Sequence, residues 1–281
     1  MDSELNRPTW QLPPGVSRGT WDYVHNDSIA TQYDAFHAGH PLLEFDRKLV
    51  LQEAQRIQAA VGTDPVGLDL GCGTGRVMLP LVQSGWRVLG LDLSQAMLQE
   101  VGSKTIDVQS QFQAQVGRVR ANLAQLNCLQ DHSIDLAYCL YSSVGMVQGR
   151  ANRRAMLGHV ARSLRQSDRS GAGGRFIVHV HNRGTWWQDP GGIRRGLSEW
   201  WQSLRDPSWE YGDRVYAYRG LPSMYLHIFS ENELRQDLRE SGFFVERWVR
   251  LNRTSSGALT NRWLFPYFRA GGFLAVARKM Q

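Results

Sequence analysis

The chain has 281 residues, 42% of them hydrophobic and 21% charged, the balance of one globular α/β domain with an insertion or of two small domains. It contains no apolar run of the roughly 18 residues that a spanning helix needs, and its start, Met1–Pro14, reads as neither a secretory signal nor a transit peptide. The net charge of +6 is carried by arginine, since the lysines are only Lys48, Lys104 and Lys279; coding bias and an anionic partner such as RNA both fit that excess. Cys72, Cys128 and Cys139 form no C-x-x-C pair, which argues against a disulfide framework or a zinc site and favours a reducing cytosol.

Residues 1–27 read as a loose arm, because Pro8, Pro13, Pro14, Gly15 and Gly19 interrupt any regular element. Helices are expected over Ser28–Ala38 and from Pro41 to Val61, the second with Leu42, Leu43, Leu49, Val50, Ala54, Ile57 and Val61 on one face. Strands and helices then alternate. Val66–Leu70, Arg87–Leu91, Val116–Ala121, Ile134–Leu140 and Arg175–His181 read as strands. Helices read from Gly75 to Gln83, after the cap residue Ser94, and over Ala151–Leu164. Such alternation predicts a doubly wound α/β fold with a parallel sheet. It pauses over 183–229, a tryptophan-rich insertion with a hairpin at Arg214–Tyr218 and Ser223–His227. Ser230 and Glu233 spell a capping box, and strands follow at Phe243–Val249 and Gly272–Ala277. Residues 28–281 thus read as one domain.

The chemistry-bearing signal is Leu68-Asp69-Leu70-Gly71-Cys72-Gly73-Thr74-Gly75, placed where the first strand turns into a helix. Glycines there let a ligand approach the backbone, and the helix start offers free N–H groups to an anionic group. The spacing is G-x-G-x-G. A dinucleotide fingerprint would need glycine at Arg76 or at Met78, so neither register fits. Asp92 ends the second strand about 20 residues on, where a carboxylate accepts from ribose hydroxyls.

Val66 to Leu98, VGLDLGCGTGRVMLPLVQSGWRVLGLDLSQAML, resembles the nucleotide-binding half of class I S-adenosylmethionine-dependent methyltransferases. The likeness runs from about Tyr33 to Lys279 and is specific between Val66 and Asn182. It implies a seven-stranded Rossmann-like sheet whose last strand is antiparallel and inserted beside the sixth. It also implies that Asp69, Gly71, Cys72, Gly73 and Gly75 hold the methionine end of S-adenosylmethionine and that Asp92, with Leu93, holds the ribose. Asn122 and Leu123 would meet the adenine, with Asn122 standing where Asp is commoner. Tyr138 to Val144 would lie under the methyl donor, and Tyr33, in the pair Tyr33-Asp34, would close over it.

Methyl transfer from a sulfonium is an in-line displacement, so positioning supplies much of the rate and a base is needed only where the acceptor loses a proton. His181 and Tyr141, at the ends of the fifth and fourth strands, are the candidates for that work; His179 shares the His181 face. A hydrogen-bonded filling role for both histidines stays open. So do a lid or stacking role for Trp186, Trp187, Trp200 and Trp201, and a phosphate-tracking role for Arg150, Arg153, Arg154, Arg162 and Arg165. The expected acceptor is a small molecule. RNA is the alternative, supported by the arginines and by the likeness of Met224–Leu234 to a segment of tRNA wobble-uridine methyltransferases. A non-catalytic S-adenosylmethionine-binding protein is the third reading. No metal, no membrane and a cytoplasmic location are expected.

Overall fold

The computed structural model describes residues 7–61, 64–107, 115–166, 173–188, 190–260 and 265–280. Its first helices are α1 (Arg18–Val24), α2 (Asp27–His37) and α3 (Pro41–Val61). Then come β1 (Val66–Leu70), α4 (Met78–Gln83), β2 (Arg87–Asp92), α5 (Gln95–Asp107), β3 (Val116–Arg120), β4 (Leu136–Cys139), α6 (Arg150–Ser163) and β5 (Arg175–His181). The insertion contributes α7 (Gly192–Arg205) and the hairpin of β6 (Asp213–Tyr218) and β7 (Leu221–His227). The chain closes with α8 (Glu231–Glu240), β8 (Phe243–Leu251), α9 (Pro266–Arg269) and β9 (Gly272–Lys279).

Seven strands form one sheet in the order β3-β2-β1-β4-β5-β9-β8. The first five pair in parallel, and β9 runs antiparallel between β5 and β8. This is the expected doubly wound, Rossmann-like sheet with its inserted last strand. Strand alternation sends Leu68, Leu70, Phe176 and Val178 to a core shared with Met156, Leu157 and Val160 of α6 and Leu234 and Leu238 of α8. The opposite face sends Leu136, Tyr138 and Ile177 to Leu49 and Val50 of α3 and Met78 and Leu81 of α4. No helix among the described residues is long and apolar enough to cross a membrane.

Several element ends differ from the sequence reading. The first glycine-loop helix starts at Met78, because Gly71, Gly73 and Gly75 all take left-handed φ (77°, 52° and 80°) and keep the chain in a turn. The fourth strand spans only Leu136–Cys139, with Ile134 bridged to Leu164. The insertion holds a helix, α7, that the sequence reading left unassigned.

The N-terminal arm is not loose over its described part. Ser17 caps α1 by accepting the Thr20 N–H at 3.0 Å, and Trp21 and Val24 are buried. Gly19, read as a breaker, is a close-approach residue: a Cβ there would sit 2.0 Å from the Ser223 carbonyl oxygen of β7. Gly19→Ala must therefore push α1 off the hairpin, at about 2 kcal/mol, typical of overpacking. A thermal melt is expected to show a Tm lowered by roughly 4–8 °C; an unchanged Tm would mean that α1 is not seated there.

Candidate active site

The order of the strands reverses between β1 and β4, and open α/β sheets bind ligands in the crevice at such a point. The glycine turn after β1 is tied to the end of β2, where the N–H groups of Gly71 and Cys72 both donate to the Leu91 carbonyl at 2.8 and 3.0 Å. Asp92 completes the turn. Its Oδ2 accepts the Gly73 N–H at 2.9 Å and its Oδ1 the Ser94 N–H at 2.8 Å. Burial raises the Asp92 pKa above the usual carboxylate value against the pull of these N–H groups.

Gly71, Gly73, Asp92, Leu93, Asn122, Leu123, Tyr33, Tyr141 and His181 line one elongated cavity. Asp69, Cys72, Thr74 and Arg76 line an adjoining pocket, which shares Tyr33, Gly71, Gly73, Tyr141 and Ser143 with the first. Burial pushes the Asp69 carboxyl up to about 8, with Arg76 pulling it down. Cys72 is a buried small residue whose thiol pKa is raised by burial, the opposite of an activated thiol.

Two of the expected residues line neither space. Gly75 faces Val101 and Leu79 of the neighbouring helices. Tyr138 pairs across the sheet with Asp69, and alternation sends its fully buried ring into the core under α3. Asn122 reaches the cavity, but its Oδ1 accepts the Ala124 N–H at 3.1 Å and its Nδ2 donates to the Pro14 carbonyl at 2.8 Å. It thereby ties the N-terminal segment to the end of β3.

The pair Tyr33-Asp34 works as a clasp. Asp34 accepts the Thr74 hydroxyl proton at 2.6 Å and pairs with Lys104, fixing α2 over the glycine turn while Tyr33 faces the cavity. A Cβ placed on Gly73 would meet only the Tyr33 ring, at 3.9 Å. The glycine therefore leaves open a space that any side chain would narrow.

Beyond β4 the backbone turns sharply. Tyr141 and Ser142 both adopt left-handed φ (51° and 62°), a conformation costing non-glycine residues about 1 kcal/mol or more each. Ser142 is fully buried, and its N–H donates to the His179 carbonyl at 3.0 Å. The turn carries the Tyr141 ring to 5.9 Å from His181 and 5.5 Å from His37. The two strand-end histidines separate in role. His179 is fully buried and its Nδ1 meets both oxygens of Asp46 in α3 at 2.8–2.9 Å, whereas His181 lines the cavity. Burial, and then the neighbouring His179, push the His181 pKa down to about 4, so its ring is neutral at pH 7.

The sequence reading missed the roof of the cavity. Thr20, Tyr23 and Val24 come from the N-terminal segment, and Tyr216, Tyr218, Met224 and Leu226 from the hairpin. Their period-two spacing, 216 with 218 and 224 with 226, was the available signal. Trp200 and Trp201 are not part of it. The helix α7 rests on the body through Gly192, Gly196 and Glu199, the last bonded to Arg214, and turns both tryptophans to solvent. The side chains of Trp186 and Trp187 lie outside the described residues.

Under the hairpin sits a buried polar group. His227 donates from one ring nitrogen to Asp213 at 2.7 Å and from the other to Glu233 at 2.8 Å. Arg153, fully buried, donates to Glu210 at 2.6 Å and lies 3.6 Å from Glu233. Ligand-capable atoms of Glu210, His227 and Glu233 lie within 4.8 Å of one another, but with Arg153 and Asp213 they form an ion-pair lock that anchors the roof.

A mostly parallel seven-stranded sheet with an inserted antiparallel last strand, a glycine turn and an acid at its switch point defines a methyltransferase-type α/β fold. Residues 68–167 match the family model of a methyltransferase domain. The fold is shared with an S-adenosylmethionine-dependent methyltransferase of Methanosarcina mazei (20% identity, TM-score 0.59, covering 77% of this chain and 93% of that one). It is also shared with the CcbJ methyltransferase of Streptomyces caelestis (17%, TM-score 0.61, covering 90% and 96%). A third is the 1,6-didemethyltoxoflavin-N1-methyltransferase of Burkholderia thailandensis (18%, TM-score 0.54, covering 96% and 93%). No curated protein matches the chain by sequence. Residues 68–167 are thus a methyltransferase domain, and the chain around them takes the fold seen in S-adenosylmethionine-dependent methyltransferases.

Proposed function

We propose that this methyltransferase acts on a small molecule taken wholly into the cavity. The supporting observation is the roof: the N-terminal segment and the hairpin cover the crevice, and Asp92 is the one charged residue among the described lining. An RNA substrate needs cations free to meet phosphates. Here Arg150 and Arg154 share the buried carboxylate of Asp237, Arg153 holds Glu210, Arg162 holds Asp131 and Arg165 holds Asp135. The run that read as a phosphate track is occupied in binding helices and loops to one another. The similar structure from Burkholderia thailandensis has 1,6-didemethyltoxoflavin bound with S-adenosylhomocysteine.

Asp92 and Leu93 would hold the donor's ribose, Asn122 and Leu123 its adenine, and Gly71, Gly73, Asp69 and Arg76 its methionine end. The open space above Gly73 and the inward-facing Asp92 carboxylate fit that group. A bound donor supplies an activated methyl on a sulfonium. The chain's own part is to orient it, to exclude water under the roof and to aim the acceptor.

The test is transfer of radiolabelled methyl from S-adenosylmethionine into a cell extract, fractionated by size with and without ribonuclease. Label is expected in the low-molecular-weight fraction whatever the nuclease treatment. Label in large, ribonuclease-sensitive material would overturn the small-molecule reading in favour of RNA. No label in any fraction, with S-adenosylhomocysteine still bound in calorimetry, would favour the non-catalytic reading.

A further inference from the structure

Around the cavity, hydrogen-bonding side chains line the wall with no partner inside the protein. Among the described residues, the hydroxyls of Tyr23, Tyr33, Tyr141 and Tyr216 and the ring nitrogens of His181 make no hydrogen bond, although all five side chains line the cavity. Of the neighbouring imidazoles, His37 bonds the Tyr33 carbonyl and His179 bonds Asp46, and neither of these nor His40 is part of the cavity lining. The rings lie close and mostly inclined, with Tyr23 to Tyr218 at 6.1 Å and Tyr216 to Tyr218 at 6.3 Å. Met224 and Leu226 add apolar lining, and the described lining has no Lys, Arg or Glu.

We propose that the acceptor is a flat, uncharged aromatic molecule bearing an ionisable O–H or ring N–H. Its ring is held among Tyr23, Tyr141, Tyr216 and Tyr218, and its proton is directed at His181. This rests on the small-molecule reading above. Inclined tyrosine rings suit the faces and edges of another aromatic, and their hydroxyls suit its heteroatoms. An anionic acceptor would lose its water with no cation in the described lining to meet, and the one carboxylate, Asp92, is already committed to the glycine turn and the donor end, so burying either charge is costly. A saturated amine would arrive as ammonium and would have to surrender its proton to an imidazole of much lower basicity.

An aromatic O–H or lactam-type N–H behaves differently. As the acceptor heteroatom bonds to the methyl carbon, the donor's carbon–sulfur bond breaks with its electron pair remaining on sulfur. The acceptor's own proton becomes strongly acidic at that stage and passes to a ring nitrogen of His181. The neutrality of His181 at pH 7 leaves that nitrogen free to accept it.

The test uses the full chain saturated with S-adenosylhomocysteine and titrated calorimetrically with naphthol (O–H) and quinolone (ring N–H). Decahydronaphthol and cyclohexylamine are the saturated comparisons. At least one aromatic probe is expected to bind roughly tenfold or more tightly than both saturated ones, and Tyr216→Leu is expected to erase that margin. With S-adenosylmethionine, the better aromatic probe identifies whether oxygen or nitrogen is methylated. His181→Ala is expected to lower kcat about 100-fold or more, with KM changed only a few-fold and S-adenosylhomocysteine affinity unchanged. Adding free imidazole is expected to restore part of that rate, which a merely structural role would not allow. Equal or tighter binding of a saturated probe, no binding of either aromatic, or full activity in His181→Ala would overturn the proposal. Label in RNA in the extract experiment would instead overturn the small-molecule reading beneath it.

Discussion

Arg153→Ala is expected to cost about 3–5 kcal/mol, the usual penalty for removing one partner of a buried ion network. Its guanidinium is fully buried, bonds Glu210 at 2.6 Å and the Val147 carbonyl at 3.3 Å, and lies 5.5 Å from the Phe229 ring. Without it Glu210 and Glu233 face each other across His227 with too little positive charge between them. Burial alone would discharge His227, but the carboxylates of Asp213 and Glu233 reverse this and raise its pKa. For a chain of this size the loss reads as a Tm lower by roughly 10 °C. Arg153→Met keeps most of the volume and none of the charge, so it should lose nearly as much. If methionine restores wild-type stability, the network is packing rather than electrostatics. The lock holds β6 and β7, which form the roof, so the acceptor site is expected to fail at lower urea concentrations than donor binding.

Asp92→Ala is expected to weaken S-adenosylhomocysteine binding about 100-fold in calorimetry, near 3 kcal/mol. The carboxylate holds the glycine turn through Gly73 and the start of α5 through Ser94, and still faces the cavity. Its loss removes an acceptor for the ligand and leaves two backbone N–H groups unsatisfied. Asp92→Asn is not a mild change here. Each oxygen already accepts a backbone N–H, so an amide must turn its NH2 against one of the two, and asparagine should recover only part of the affinity. Affinities within a few-fold of wild type for both variants would remove Asp92 from the donor site.

The succession of strands and helices along the chain, the glycine turn and the acid at the end of β2 were legible because each rests on local physics, whereas the placing of the last strand in the sheet came from the family resemblance. Period-two burial marks strands, and a chain that must turn within three residues needs glycine at left-handed φ. The capping box of Ser230 and Glu233 forms as its spacing foretold. Tyr138 misled for an equally local reason. Its place at the end of β4 was right, but which face its ring takes depends on pairing with Asp69 and on α3 covering that face. His179 and His181 look equivalent two residues apart. Asp46, 133 residues from His179, makes one a core residue and leaves the other facing the cavity.

The sequence by itself determined a doubly wound α/β fold with a ligand-binding glycine turn, because the glycine-loop pattern and the alternation of strands and helices are written in neighbouring residues; the methyltransferase reading came from the resemblance of Val66 to Leu98. Only the tertiary structure decided what encloses the acceptor. The described part of the breaker-rich N-terminal segment carries α1, seated where Gly19 can lie against a backbone more than 200 positions away. The arginine excess became an internal framework by the same kind of encounter. An arginine's partner is set by which acids the fold brings within reach, and Asp237 reaches Arg150 and Arg154 only once α6 and α8 have packed on one face of the sheet.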